Sequence, residues 1–121
     1  MENKIYIAGP MTGYEYFNFP AFDKAYNLLV DKFSVFSPAD HDRELLGKTV
    51  NWMPQESDSV GPWKAWAIPG APDLRTMLGE DLEWIAKNAT HIYMLKGWER
   101  SSGARTEHAL AVALGLEIMY E

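Results

Sequence analysis

Eleven Lys and Arg against seventeen Asp and Glu give this 121-residue chain a formal charge of −6, a poor balance for gripping a nucleic-acid backbone. Its 47% hydrophobic and 23% charged residues suit one folded domain and exclude a disordered chain. With no cysteine there is no disulfide, thiolate metal site or cysteine nucleophile, and no apolar run approaches the roughly 20 residues of a membrane span.

The N-terminus, MENKIYIAGP, lacks a basic stretch ahead of a long apolar one, so no cleaved signal is expected and the expected location is cytoplasmic. Residues 4–8 read as a short buried strand that Gly9 and Pro10 end. Pro20 suits the first turn of a helix, and Phe22, Ala25, Tyr26, Leu29 and Phe33 follow at the spacing of one helical face. Residues 34–37 form a second strand, stopped by Pro38. The pattern then predicts a helix over 74–88, a strand over 91–95, a helix over 104–114 and a strand over 116–120. Alternating strands and helices imply an α/β fold, a flavodoxin-like or Rossmann-like three-layer sandwich. Its sheet is expected to be mostly parallel with four or five strands, the first one central.

The whole of 1–121 is expected to be one domain. Within it, residues 38–73 hold five of the seven prolines and three of the five tryptophans, Trp52, Trp63 and Trp66. A short helix over 40–47 is expected at its start. The remainder has no clean periodicity and reads as an ordered insertion or lid.

Two carboxylates fall where apolar side chains belong. On a helical wheel of 74–88, Leu74, Met77, Leu78, Leu82 and Ile85 share a face, and Asp81 lies in its middle. On 104–114, Leu110, Ala111 and Leu114 define the inward face, with Glu107 one turn earlier. Buried acids are costly without partners and often mark sites. Glu107 is also near the start of its helix, where the dipole should favour the ionised form. Ahead of it runs Gly97-Trp98-Glu99-Arg100-Ser101-Ser102-Gly103, a strand-to-helix loop suited to an anion, although Ser101 in a plain capping role would look the same. Ligands of open parallel sheets bind at the strands' carboxyl ends. The first loop, with Gly9, Met11 and Gly13, opens onto that edge and is expected to line the same substrate site. It is neither a GxGxxG fingerprint nor a Walker A loop. His41, His91 and His108 have no metal-binding spacing, so no metal is expected.

On these residues the chain resembles the nucleoside 2-deoxyribosyltransferase superfamily, which includes 2′-deoxynucleoside 5′-monophosphate N-glycosidases. It looks closest to a small branch of phage and bacterial genomes that opens with a strand running into Ala-Gly-Pro-Met-Thr-Gly, here residues 8–13. The likeness covers about 1–40 and 73–121 and leaves out the tryptophan-rich middle. It implies that Glu107 is the essential nucleophile behind Gly103, that Asp81 contacts the base and that Tyr6 lies beside the nucleophile. Six residues before that Glu, the transferases tend to carry an Asp for the free 5′-hydroxyl and the hydrolases a Ser for phosphate. This chain has Ser101. Arg105 replaces the family's usual small residue and is expected either to add a phosphate contact or to crowd the pocket.

The expected activity is therefore hydrolysis of the N-glycosidic bond of a nucleoside or deoxynucleoside 5′-monophosphate. Glu107, Asp81 and Tyr6 would be catalytic; Gly9, Met11, Gly13, Ser101, Ser102, Gly103 and Arg105 would bind substrate. No organic cofactor is expected. A small nucleotide or nucleoside is the expected ligand, and a homodimer or larger homo-oligomer the expected assembly. The alternatives are a nucleoside 2-deoxyribosyltransferase, a non-catalytic nucleotide-binding module, and an interaction protein that uses the tryptophan segment.

Overall fold

The computed structural model describes residues 2–11, 14–45 and 74–121. Its sheet comprises β1 (Lys4–Ala8), β2 (Ser34–Phe36), β3 (His91–Met94) and β4 (Glu117–Tyr120). Every pairing is parallel and the order is β2-β1-β3-β4, with β1 flanked by β2 and β3 as expected. The helices are α1 (Phe19–Leu29), α2 (Pro38–Leu45), α3 (Leu74–Asn88) and α4 (Ser102–Leu114). The fold is thus an α/β sandwich on a four-stranded sheet; no fifth strand occurs among the described residues. None of the described helices is long and apolar enough to cross a membrane.

The period of two in β1 decides which layer each residue joins. Ile5 and Ile7 face α1 and pack with its Phe19, Phe22, Ala25 and Leu29. Tyr6 and Ala8 face the other way and pack with Ile85 of α3 and with Ala104 and Ala111 of α4. β3 repeats the division, sending Tyr93 to the first layer and Ile92 and Met94 to the second. Each fully buried Ile or Phe contributes roughly 1.5–3 kcal/mol, so both faces of this strand pair hold the domain together.

Two helix starts and one inward face differ from expectation, and β2, β3 and β4 are each one residue shorter than expected. α4 begins two residues early, because the Ser101 side chain caps it by accepting from Ala104 N at 3.2 Å. The short helix expected over 40–47 is α2, which starts at Pro38, a residue whose fixed φ suits a first turn. Leu114 is 46% exposed, since it closes α4 beyond the turn that packs on the sheet; the buried stripe is Ala104, Glu107 and Ala111. The tryptophans at 52, 63 and 66 lie outside the described residues.

α2 is fastened to α1 by a charge. Arg43 is only 2% exposed, donates to both carboxylate oxygens of Asp23 at 3.0 and 2.6 Å, and donates to Asp40 at 2.7 Å. Its guanidinium also lies 4.7 Å from the centre of the Phe19 ring. The entry to α1 is held just as firmly. Tyr16, Phe17 and Asn18 adopt left-handed backbone, with φ of 52°, 51° and 62°. Each such residue costs roughly 1–2 kcal/mol. Burial of Phe17 offsets part of that, and Asn18 Nδ2 donates to the Pro10 carbonyl at 2.9 Å. The loop after β1 is thereby tied to the start of α1.

Gly9, at the exit of β1, has no room for a side chain. A Cβ there would lie 2.7 Å from Leu95 Cβ. Gly9→Ala should therefore lower stability by about 1–3 kcal/mol, an overpacking cost. A urea titration checks this; an unchanged midpoint would show that Leu95 yields without cost.

Candidate active site

A cavity of about 350 Å³ opens at the carboxyl edge of the sheet, between the segments that follow β1 and β3. This is where the strand order reverses and neighbouring connections run in opposite directions, leaving a crevice. After β1, Gly9 and Met11 line it; at the head of α4, Ser101, Ser102 and Gly103 do. Tyr6, Asp81 and Glu107 complete the inner wall. Of the nine sequence-predicted positions other than Gly13, eight line this cavity and only Arg105 does not. Gly13 lies outside the described residues.

Arg105 is exposed on α4. At about 100° per residue it stands roughly 200° from Glu107, so it faces away when Glu107 faces the cavity. It neither crowds the pocket nor contacts its contents. Arg100, in the short 3-10 turn Trp98–Arg100, lines the cavity instead.

Tyr6 and Glu107 form the centre. The Tyr6 hydroxyl, on a side chain with no exposure at all, donates to Glu107 Oε2 at 2.6 Å. Phe36 stacks on the Tyr6 ring at 5.4 Å and Trp84 lies at 6.3 Å, which fixes the hydroxyl's direction. Burial, helped by the neighbouring carboxyls, keeps this phenol protonated well beyond its usual range.

Glu107 is 5% exposed, and burial pushes its carboxyl up to about 8; the Tyr6 bond opposes this, while Asp81 and Asp42 add to it. Burial thus overturns the expectation of a dipole-favoured ionised form. The magnitudes explain why. A helix terminus contributes at most about 2 kcal/mol, near 1.5 pH units, whereas full burial moves a carboxyl by as much as 3–5 units.

Asp81 is 8% exposed and raised by burial to about 6, against the pull of His41. Its Oδ1 is buried without a hydrogen-bond partner. A third acid joins them. Asp42 of α2 lines the cavity at 6% exposure, and burial together with Asp81 raises it well above the carboxylate range. Sequence reasoning passed over it because Asp40, Asp42 and Glu44 alternate on a short polar helix. The available signal was Ala39, which marks one face of α2 with positions 42 and 43.

The other end of the cavity has the opposite character. Ser101 Oγ accepts from Ala104 N, yet its proton remains available to a ligand, since a hydroxyl both accepts and donates. The N–H groups that open α4 face the same way. Gly103 is not forced by crowding, because a Cβ there would make only ordinary contacts at 3.9 Å. His108 is elsewhere, stacked on Trp98 at 4.3 Å and near the Tyr120 hydroxyl at 3.1 Å. Among the described residues no His, Asp and Glu side chains are grouped to hold a metal ion.

The raised Glu107 has a consequence for stability. Between pH 4.5, its ordinary value, and about 8 the folded chain keeps a proton that the unfolded chain releases. Stability is thus full below the lower value and falls as pH rises, by about 1.4 kcal/mol per unit at most, until the folded group ionises. Glu107→Gln keeps the acceptor for Tyr6 and removes the ionisation. It should match wild type near pH 4.5 and exceed it by a few kcal/mol at pH 9. Thermal melts at both values check the sign; an equal gain at both would refute it.

Comparison with known proteins adds one match. Residues 70–120, less than half of the chain, match the family described as domain of unknown function (DUF4406). No curated protein and no solved structure matches the chain. The matched stretch contains α3, β3, α4 and β4, and with them Asp81, Ser101 and Glu107.

Proposed function

We propose that the protein hydrolyses the N-glycosidic bond of a nucleoside or deoxynucleoside 5′-monophosphate, as its resemblance to the nucleoside 2-deoxyribosyltransferase superfamily suggests. The observation that carries this reading is the buried Tyr6–Glu107 hydrogen bond of 2.6 Å, in a cavity bounded by a helix N-terminus. Phosphate is anionic and suits the α4 end; the sugar carbon becomes oxocarbenium-like and suits a carboxylate.

In this mechanism Glu107 attacks the anomeric carbon while the bond from that carbon to the base nitrogen breaks. Asp81 gives its proton to the departing base. Water then cleaves the glycosyl ester, releasing the sugar phosphate and restoring the Glu107 carboxylate. The proton from that water returns to Asp81. Tyr6 donates to Glu107 throughout, holding the attacking group in place. A second base in place of water would give transfer instead.

The reactive form has Glu107 ionised and Asp81 protonated, so the pair together carries one proton. With values of about 6 and 8, that one-proton form is most abundant near neutrality. Developing positive charge on the sugar draws the ionised state onto Glu107. The reading also keeps the cytoplasmic location expected from the sequence and the homo-oligomeric assembly that the resemblance implies.

The test is base release from a panel of deoxynucleoside monophosphates. Glu107→Ala should reduce release by 10³-fold or more, on the order seen for lost nucleophiles. The pH profile of kcat/KM should be bell-shaped, with limbs near 6 and 8. Equal release by wild type and variant would remove Glu107 from the chemistry.

Phosphate should matter as much as the base. Charge-assisted bonds from Ser101 and the α4 N–H groups contribute roughly 1.5–3 kcal/mol each. The monophosphate should therefore exceed its nucleoside on the order of a hundredfold in kcat/KM. Ser101→Asp should reverse part of that preference by setting charge against charge. Arg100→Ala should weaken it too, and Arg105→Ala should not. A wild type that prefers the nucleoside would move the reading to transferase chemistry.

A further inference from the structure

The topology orders the cavity along the sheet edge. The head of α4 follows β3, Tyr6 belongs to β1, and α2 starts one residue after β2. Glu107 meets Tyr6, so the reacting carbon is placed over β1. If phosphate takes the β3 side, the base takes the β2 side. Neighbouring strands are roughly 4.8 Å apart, so the two ends are separated by about 10 Å, the reach of one nucleotide. The β2 side is where Asp42 enters, and Phe36 at the end of β2 lies 5.1 Å from the His41 ring of the same helix.

We propose that Asp42 reads the base in this cavity and selects nucleotides whose base carries an exocyclic amine over those whose edge is flanked by carbonyls. This rests on the nucleotide reading of the same site. The chemistry of the wall supports it. From α2 and α3 the cavity receives Pro38, Asp42, Met77, Leu78 and Asp81, two acids among apolar groups. Among the described residues its wall carries no lysine and no side-chain amide, and its arginine, Arg100, stands at the α4 end. Such a wall is rich in acceptors. The unpartnered, buried Oδ1 of Asp81 is a second acceptor awaiting a donor.

A cytosine or adenine amine gives these oxygens an N–H. Uracil or hypoxanthine sets a carbonyl oxygen against them at the same position. Burial favours the neutral carboxyl of Asp42, but an amine N–H brought against it favours the carboxylate, which only accepts and so offers nothing to a carbonyl base. A ligand N–H then replaces water at an oxygen that is already withdrawn from solvent.

The experiment uses matched monophosphates that differ at that position, dCMP with dUMP and dAMP with dIMP. Dissociation constants are measured by calorimetry on the full chain, with product followed in parallel. Wild type should bind the amine-bearing member of each pair roughly ten- to a hundredfold more tightly, the effect of one charge-assisted or buried polar contact. Asp42→Asn offers a donor as well as an acceptor and should reduce that ratio at least fivefold; Asp42→Ala should do so by weakening the amine-bearing member alone. Equal binding within each pair by wild type overturns the proposal, whatever the variants do. So does a preference that both variants retain. If the preference is found without base release, the hydrolase reading fails and the role of Asp42 stands. If base is released without preference, the reverse holds. If no monophosphate binds, both fall.

Discussion

The hydrogen bond from Tyr6 to Glu107 joins the central strand to the last helix, across 101 residues of sequence. The elements around it keep those two atoms 2.6 Å apart on the inner wall of the cavity. β1 provides the tyrosine on its second face, while Ile5 and Ile7 fix the strand from the first. α4 provides the glutamate, positioned by the Ser101 cap and by Ala104 and Ala111, whose small side chains let the helix lie close to the sheet. A strand slip of one residue would turn Tyr6 to the wrong layer.

The acids around that bond are tolerated because burial holds them toward the neutral form. Three carboxyls in one cavity oppose one another, and each is forced toward its neutral form by burial. None of the three is held by an arginine or lysine bridge among the described residues, whereas the buried Arg43 has two acidic partners a single position away from Asp42. The contrast is informative. A chain able to place a cation so tightly beside α2 leaves the neighbouring face acidic and open to a ligand. Buried acids without cationic partners weaken a fold, and such groups often mark a binding or catalytic site.

Much of this was legible in the sequence. The strands followed from short apolar runs, because β1 and β3 are buried on both faces, and the long helices from the apolar stripes of α1 and α3. Asp81 and Glu107 were visible as acids that interrupt such stripes. Asp42 was not, since on an eight-residue helix with alternating acids the buried one has no apolar frame to break. Arg43 was hidden for a related reason, as a fully buried arginine has the letter of a surface residue until its partners are known. The placing of Arg105 failed differently. Its place two residues before Glu107, where the resemblance puts a small residue, suggested the pocket, but helical rotation sends residues two apart to nearly opposite sides. The charge state of Glu107 failed on magnitude, with burial outweighing the dipole.

The left-handed turn at Tyr16, Phe17 and Asn18 shows how the rim is held against its own cost. Tyr14, just before it, lines the cavity and reaches toward Gly97, where a Cβ would meet the tyrosine hydroxyl at 2.7 Å. Gly97 itself has φ of +88°, a conformation that favours glycine. So the loop after β1 and the loop after β3 meet through a tyrosine and a glycine, with Asn18 holding Pro10 behind them. Strain of this kind persists only where surrounding contacts over-determine it. Here the contacts converge on the two loops that bracket the strand-order reversal: Phe17 anchors the turn in the first core layer, and from that anchor Asn18 and Tyr14 hold the mouth of the cavity.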